Sequence, residues 1–75
     1  MDGKAYYTVT TAAQHLIVSK DVIYSMIASG ELPALRIGRQ YRISAEDMER
    51  FEKRKKKETA EYLRGNRLGA FLPGR

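Results

Sequence analysis

Apolar residues recur at helical spacing in a short stretch near the start of the chain. Ala12, Ala13 and Leu16 would share one face of a helix there. Thr8 precedes them, and its hydroxyl suits the N-cap position because it can accept a hydrogen bond from a backbone N–H left unpaired at a helix start. The pattern therefore predicts a first helix over residues 9–16.

A second apolar stripe of the same period follows closely. Ile23, Met26 and Ile27 repeat at helical spacing, and Ser19 stands where the N-cap of that helix would lie. This pattern predicts a second helix over residues 20–29. Too few residues separate the two helices for anything but a turn.

The period then changes from that of a helix to that of a strand. Leu35 and Ile37 alternate with polar residues, and so do Tyr41 and Ile43. Such alternation on both sides of a glycine-containing segment is typical of a β-hairpin. We predict a hairpin whose loop is formed by the three residues 38–40.

A third helix is predicted directly after the hairpin. Ser44 and Asp47 form a variant of the capping box, with Asp at the position where Glu or Gln is usual. Ala45, Met48 and Phe51 would face inward from this helix.

The order of helix, turn, helix, hairpin and helix predicts a mainly α fold with a small β-hairpin, a winged helix-turn-helix. The chain has 75 residues, enough for one small domain. We place a flexible N-terminus at residues 1–6, the winged helix-turn-helix domain at 7–57, and a C-terminal tail that suits a short helix or an interaction segment at 58–75. Tyr6 and Tyr7 either pack on the core or begin an edge strand.

The composition favours a nucleic-acid partner and offers little for catalysis. Lys and Arg number 14 against 9 acidic residues, for a net charge of +5, and the pI near 9.7 is typical of nucleic-acid-binding domains. A generically basic small protein is the alternative. The chain has no cysteine, no phosphate-binding loop and one histidine, His15, which we expect to be a surface or packing residue. We therefore expect no enzyme, no cofactor and no metal.

Membrane association is not expected either. No apolar run approaches the roughly 20 residues of a membrane span, and residues 1–4 lack the apolar segment of a secretory signal. We expect a cytoplasmic protein.

In a helix-turn-helix, the N-terminal part of the second helix reaches base edges in the major groove. Lys20 suits guanine or phosphate acceptors, whereas Asp21 either accepts from cytosine or favours the positive end of the helix. Ser19 is equally well explained as a plain cap and Tyr24 as a packing residue. The candidate residues are Ser19, Lys20, Asp21, Tyr24 and Ser25.

The hairpin is the second candidate DNA-binding surface. Its arginines suit the negative potential of a narrow minor groove, and its glycine permits a close approach of the backbone. The alternative is a solvated hairpin whose arginines only aid solubility. Three arginines within seven residues, on strand positions sharing a face or at the tip, make that alternative less attractive. The candidate residues are Arg36, Gly38, Arg39, Gln40 and Arg42. The basic run at residues 53–57 is less specific, because such runs are usually solvated, although it could add phosphate contacts.

Residues 7–51 resemble the excisionase-type DNA-binding domain, a small relative of the MerR winged-helix group. The matching motifs are Thr8-Val9, Ala12-Ala13, Val18-Ser19-Lys20, Val22-Ile23-Tyr24, Gly30-Glu31-Leu32-Pro33-Ala34, Arg36-Ile37-Gly38-Arg39, Tyr41-Arg42-Ile43 and the helix through Met48 and Phe51. Two departures are visible. Thr11 stands where the family often has Glu, and His15-Leu16-Ile17 replaces the common Leu-Leu-Gly turn.

The resemblance implies a recombination directionality factor of a phage or integrated element. Such a protein binds double-stranded DNA beside an attachment site, associates with itself cooperatively on the DNA, bends it and helps an integrase to excise the element. A small winged-helix transcriptional regulator is the alternative, which the small size makes less attractive. A third alternative is a module whose basic surface binds an acidic protein. The apolar residues Leu63, Leu68, Phe71 and Leu72 either fold back on the domain or dock on a neighbouring protomer or the integrase.

Overall fold

The computed structural model describes residues 5–65, which form three helices and a small antiparallel sheet. The elements in chain order are β1 (Tyr6–Tyr7), α1 (Val9–Leu16), α2 (Lys20–Ala28), β2 (Leu35–Ile37), β3 (Gln40–Ser44) and α3 (Ala45–Gly65). The predicted winged helix-turn-helix is confirmed. The first helix has the predicted bounds, and the second ends one residue earlier than predicted.

A pair of threonines caps the start of α1. The Oγ1 of Thr8 accepts from the backbone N–H of Thr11 at 3.0 Å, and the Oγ1 of Thr11 accepts from the backbone N–H of Thr8 at 2.8 Å. This reciprocal arrangement is a capping box, in which Glu or Gln usually occupies the second position. Thr11 thus accepts the hydrogen bond that a Glu or Gln side chain usually accepts at this position.

The turn between α1 and α2 retains its geometry without glycine. Ile17 adopts a left-handed conformation with φ 56° and ψ 54°. The Ile17 N–H donates to the carbonyl of Gln14 at 3.3 Å and the Val18 N–H to the carbonyl of Ala13 at 2.9 Å, the two bonds of a Schellman motif. A β-branched residue is strained in this region, at a cost of roughly 1–3 kcal/mol. With Ile17 in place of glycine the turn keeps the Schellman geometry, at the expense of backbone strain.

The second helix begins and ends through local hydrogen bonds. The Oγ of Ser19 accepts from the Val22 N–H at 3.3 Å, so Ser19 is the N-cap. Past the helix, Gly30 has φ 84° and its N–H donates to Ile27 at 3.0 Å. The turn that follows places Leu32 in the core with no exposed surface.

The three strands form an antiparallel sheet in the order β1-β3-β2. Tyr7 pairs with Ile43, so the tyrosines form an edge strand, and Tyr7 also packs against the core. On the other side of β3, β2 pairs with it so that Ile37 is opposite Gln40. The hairpin loop therefore contains two residues, Gly38 and Arg39, and the predicted three-residue loop is wrong. A two-residue loop fits the twist of paired strands, and Gly38 supplies the positive φ, 63°, that such turns need.

The register also decides which side chains share a face of the hairpin. Arg36 is opposite Tyr41, and Leu35 is opposite Arg42. Since partners across strands lie on the same face and neighbours along a strand do not, Arg36 and Arg42 lie on opposite faces. The expectation that they could share a face is therefore wrong. Tyr41 faces the core, whereas Leu35 is 53% exposed.

The core lies between the three helices and the sheet. Its buried residues are Val9, Ala12, Ala13, Ile23, Leu32, Ile43, Met48 and Phe51. At the start of α3 the Oγ of Ser44 accepts from the Asp47 N–H at 3.0 Å, as predicted, while the Asp47 carboxylate accepts from Arg50. The helix then leaves the core and continues to Gly65.

Parts of the predicted domain organisation lie outside the described residues. These parts are residues 1–4 of the N-terminus and, in the tail, Leu68, Phe71 and Leu72. Within the described chain, α3 runs without interruption across position 57, where we place the end of the winged helix-turn-helix domain. That boundary stays a prediction.

Candidate nucleic-acid interface

The N-terminal half of α2 presents one solvent-facing surface. Lys20 and Tyr24 are one turn apart on this helix, as are Asp21 and Ser25, and all four are exposed. Ile23, which is fully buried, anchors the opposite side of the helix in the core. The structure therefore brings the candidate residues of α2 together on a face that a groove of DNA can reach. Ser19 is exposed beside them, although its hydroxyl caps the helix.

Tyr24 connects α2 to the hairpin. Its ring meets that of Tyr41 edge to face, with the centroids 6.1 Å apart and the planes at 69°. Tyr24 nevertheless remains 47% exposed. The two interpretations of this residue are compatible, because the ring packs while much of its surface stays accessible.

The arginines of the hairpin differ in how they are held. The Arg36 Nε donates to the carbonyl of Gly38 at 3.0 Å. Arg42 is half-buried and donates to the Gln40 Oε1 at 2.8 Å and to the Tyr41 carbonyl at 3.1 Å. Arg39, at the tip of the loop, makes no side-chain hydrogen bond or ion pair within residues 5–65. Its guanidinium is therefore the one in the hairpin that keeps all its donors for another molecule.

A cleft of about 300 Å³ lies between α2 and the hairpin. Tyr24, Arg39, Gln40 and Arg42 line it together with residues from the start of α1, including Thr10. Sequence reasoning missed this third wall. No local pattern could have indicated it, because Thr10 and the hairpin are brought to one cleft by packing between elements that are distant in sequence.

Two cations of the basic run at residues 53–57, Arg54 and Lys55, are paired within the fold. The Lys55 ammonium pairs with Glu31 and, at 3.3 Å, with Glu58. The pKa of Lys55 is raised above 10.5, chiefly by the hydrogen bond to Glu31 and then by that to Glu58. Arg54 donates to the backbone carbonyl of Glu31 at 2.7 Å. These two cations tie α3 to the segment that follows α2, which favours a structural role for them over contact with phosphates.

His15 is a packing residue at the surface, as expected. Its Nε2 lies 2.9 Å from the Oε2 of Glu52, and its ring centroid lies 5.0 Å from that of Tyr7. Among residues 5–65 no group of three or more His, Cys, Asp or Glu side chains is placed to hold a metal ion. Nor is any helix in the described part of the chain long and apolar enough to cross a membrane.

Residues 6–56 match the family described as a helix-turn-helix domain. The chain belongs to this family. The match spans all the candidate residues on α2 and the hairpin. The helix-turn-helix part of the resemblance to excisionases is thereby confirmed, whereas the excisionase and MerR-like parts stay predictions.

Similar proteins occur in two bacteria. The chain is 40% identical over 52 residues to "Uncharacterized protein YvgK" of Bacillus subtilis (strain 168). The aligned region covers 69% of this chain and 17% of that protein. It is 45% identical over 38 residues to "Putative DNA-binding protein Rv0500A" of Mycobacterium tuberculosis (strain H37Rv), which covers 51% of this chain and 49% of that protein. The chain thus spans half or less of the length of these relatives. No solved structure matches it significantly.

Proposed function

We propose that the chain binds double-stranded DNA with sequence preference, with α2 in the major groove and the hairpin against the neighbouring backbone or minor groove. The observation that carries the proposal is the placement of Tyr24, on the exposed face of α2, and Arg39, at the tip of the hairpin, around one cleft, joined by the contact between Tyr24 and Tyr41. A helix and a wing in this relation can reach two adjacent parts of a duplex.

On α2, Lys20 supplies the positive charge and donates to guanine acceptors or to a phosphate. Tyr24 and Ser25 offer hydroxyls to bases or phosphates, and Ser19 does so in addition to capping the helix. Asp21 accepts from a cytosine amino group or stabilises the N-terminus of α2, where it lies in the first turn.

On the hairpin, Arg39 enters or follows the minor groove, because it is exposed and its guanidinium has no partner among residues 5–65. Gly38 lets the backbone approach the DNA closely. Arg42 and Gln40 hold each other through their hydrogen bond and present one face of the hairpin, whereas Arg36 presents the other.

In the cell, we propose that the protein is an excisionase. It binds beside an attachment site in the cytoplasm of a bacterial host, associates cooperatively with itself on the DNA, bends the DNA and promotes excision by an integrase. The resemblance of residues 7–51 supports this role. A small transcriptional regulator is the second candidate, since the helix-turn-helix family match fits both roles equally. In either role the chain acts by binding and needs no catalytic residue or cofactor.

The DNA-binding proposal is tested by selecting duplexes from a random library with the 75-residue chain and then footprinting the selected site. We expect protection of a major-groove segment and the adjoining minor groove. Selected duplexes with no shared sequence would contradict the proposal of sequence preference.

The excisionase role needs a separate experiment, in which the chain is added to a reconstituted integrase reaction on attachment-site DNA. We expect excision to rise and integration to fall. DNA binding without a change in either reaction would favour the transcriptional regulator.

A further inference from the structure

An apolar groove lies where α3 leaves the core, and its volume is about 620 Å³. Leu16, Val18, Val22 and Met26 form its floor on α1, the turn and α2, and Leu63 closes it on α3. Val18 and Val22 are 38% and 41% exposed. Contiguous apolar surface of this kind usually marks a site that another segment covers.

We propose that residues 66–75 of the same chain fill this groove, with Leu68, Phe71 and Leu72 as the anchoring side chains. This inference goes beyond DNA binding and does not depend on it. It commits to an intramolecular occupant, for which connectivity, reach and concentration each provide an argument.

Connectivity and reach both favour the tail. Residue 66 follows Gly65 directly, only three positions beyond Leu63 in the groove wall. The six residues from Gly65 to Phe71 can span about 20 Å when extended. The wall from Leu63 back to Phe51 is roughly 18 Å long at the rise of an α-helix. The apolar residues of the tail can therefore reach every part of the groove.

Tethering gives the tail an advantage over a second copy of the chain. A segment attached by a short connection competes at an effective concentration on the order of millimolar, whereas a free molecule competes at its actual concentration. Covering Val18 and Val22 also suits a chain of this length, whose own core is small.

Docking of the tail leaves the candidate DNA-binding surface uncovered. Val22 and Met26 lie one turn apart and share the groove side of α2. Tyr24 is two residues from each of them, so it projects from another side of the helix. The groove and the DNA-binding face can therefore be occupied at the same time.

The proposal is tested by nuclear magnetic resonance on the 75-residue chain. We expect nuclear Overhauser effects between the Phe71 ring and the methyl groups of Leu63 and Val22, at concentrations where sedimentation shows a monomer. This measurement needs no variant. Absence of these effects under monomeric conditions would overturn the proposal. Effects seen only between differently labelled molecules in a mixed sample would also overturn it, because a second copy would then be the occupant.

Thermal unfolding provides an independent check. Phe71→Ser and Leu63→Ser should each lower Tm by roughly 5 °C, because each removes an apolar side chain from the filled groove. Tyr62→Ser is the matched control, since Tyr62 adjoins Leu63 on α3 but lies outside the groove and is 64% exposed. An unchanged Tm for Phe71→Ser, together with unchanged methyl shifts for Val22 and Met26, would refute the docking of the tail.

Discussion

Tyr24 on α2 and Tyr41 on β3 meet edge to face, with ring centroids 6.1 Å apart. The contact fixes the hairpin relative to the second helix, the two parts that would meet DNA. Such aromatic pairs contribute about 0.5–1.5 kcal/mol beyond the area that they bury. We expect Tyr24→Ala to lower the free energy of unfolding by about 1 kcal/mol, measured by urea denaturation, and to weaken binding to the selected duplex.

Tyr24→Phe separates packing from hydrogen bonding at this position. The variant keeps the ring contact with Tyr41, so its stability should equal that of the wild type. If the hydroxyl contacts a base, the free energy of binding should become less favourable by roughly 1–3 kcal/mol, the range for lost polar contacts to a base. Wild-type affinity for Tyr24→Phe would assign the residue to packing alone.

The strained turn at Ile17 offers a stabilising substitution. The residue is 87% exposed, so its side chain contributes little packing, and its left-handed φ is unfavourable for a β-branched side chain. We expect Ile17→Gly to raise Tm by roughly 4–8 °C, the equivalent of about 1 kcal/mol in a domain of this size. Calorimetry of Ile17→Ala provides the control, because it removes the side chain beyond Cβ and keeps the Cβ. If both variants gain equally, relief of strain is not the cause.

The capping box predicts which residues can replace Thr11. Thr11→Val keeps the shape of the side chain and removes the hydroxyl that accepts from Thr8. We expect a loss of about 0.5–2 kcal/mol in the free energy of unfolding, as for other lost caps. Thr11→Glu should retain the wild-type value, because Glu is the usual partner in this motif. Equal losses for Val and Glu in a denaturation series would contradict the capping role.

Local signals explain why the two helices of the helix-turn-helix could be predicted. The caps at Thr8 and Ser19 act over three or four residues and can be recognised without knowing the fold, so the first residues of α1 and α2 followed from them. The hairpin loop was less accessible, because its length depends on which residues pair across the strands. A shift of one residue in that register also reverses the face of every side chain. This is why the placement of Arg36 and Arg42 on opposite faces could not be predicted.

The length of α3 was hidden for a different reason. Beyond Phe51 the helix is mostly solvated, so an apolar stripe is not required to form it. Pairs such as Lys53 with Glu49 and Lys55 with Glu58, at helical spacing, support it instead. The ion pair between Lys55 and Glu31 joins residues distant in sequence, and no local pattern indicates it. The cleft wall at Thr10 likewise depends on packing between distant elements.

The ion pairs of Lys55 predict a pH dependence of stability. Its pKa is raised in the folded chain, chiefly by Glu31 and then by Glu58. A lysine whose pKa is higher in the folded than in the unfolded chain contributes stability that is fully present below its ordinary pKa of 10.5. That contribution is lost as the pH rises through the higher pKa of the folded state. Wild type should therefore exceed Lys55→Gln in free energy of unfolding at pH 8, and the difference should shrink above pH 10.5.

Lys56→Gln is the control for this titration. Lys56 lies beside Lys55 and has no acidic partner among residues 5–65, so its substitution removes a lysine charge from α3 without breaking an ion pair of the described fold. Urea denaturation of the three proteins between neutral and alkaline pH measures both effects. A constant difference for Lys55→Gln across the alkaline range would show that its ion pairs do not stabilise the fold.

Arg39 gives the sharpest prediction for DNA binding, because its guanidinium lies at the tip of the loop without a partner in the described chain. We expect Arg39→Ala to weaken binding to the selected duplex and to reduce the slope of log affinity against log salt by about 1, the value for one lost phosphate contact. The Tm should not change, since Arg39 makes no side-chain hydrogen bond or ion pair among residues 5–65. Arg64→Ala removes the same charge from the exposed end of α3, far along the helix from the sheet, and should leave the salt slope unchanged. Equal slopes for wild type and Arg39→Ala across a salt series would remove the hairpin tip from the DNA-binding surface.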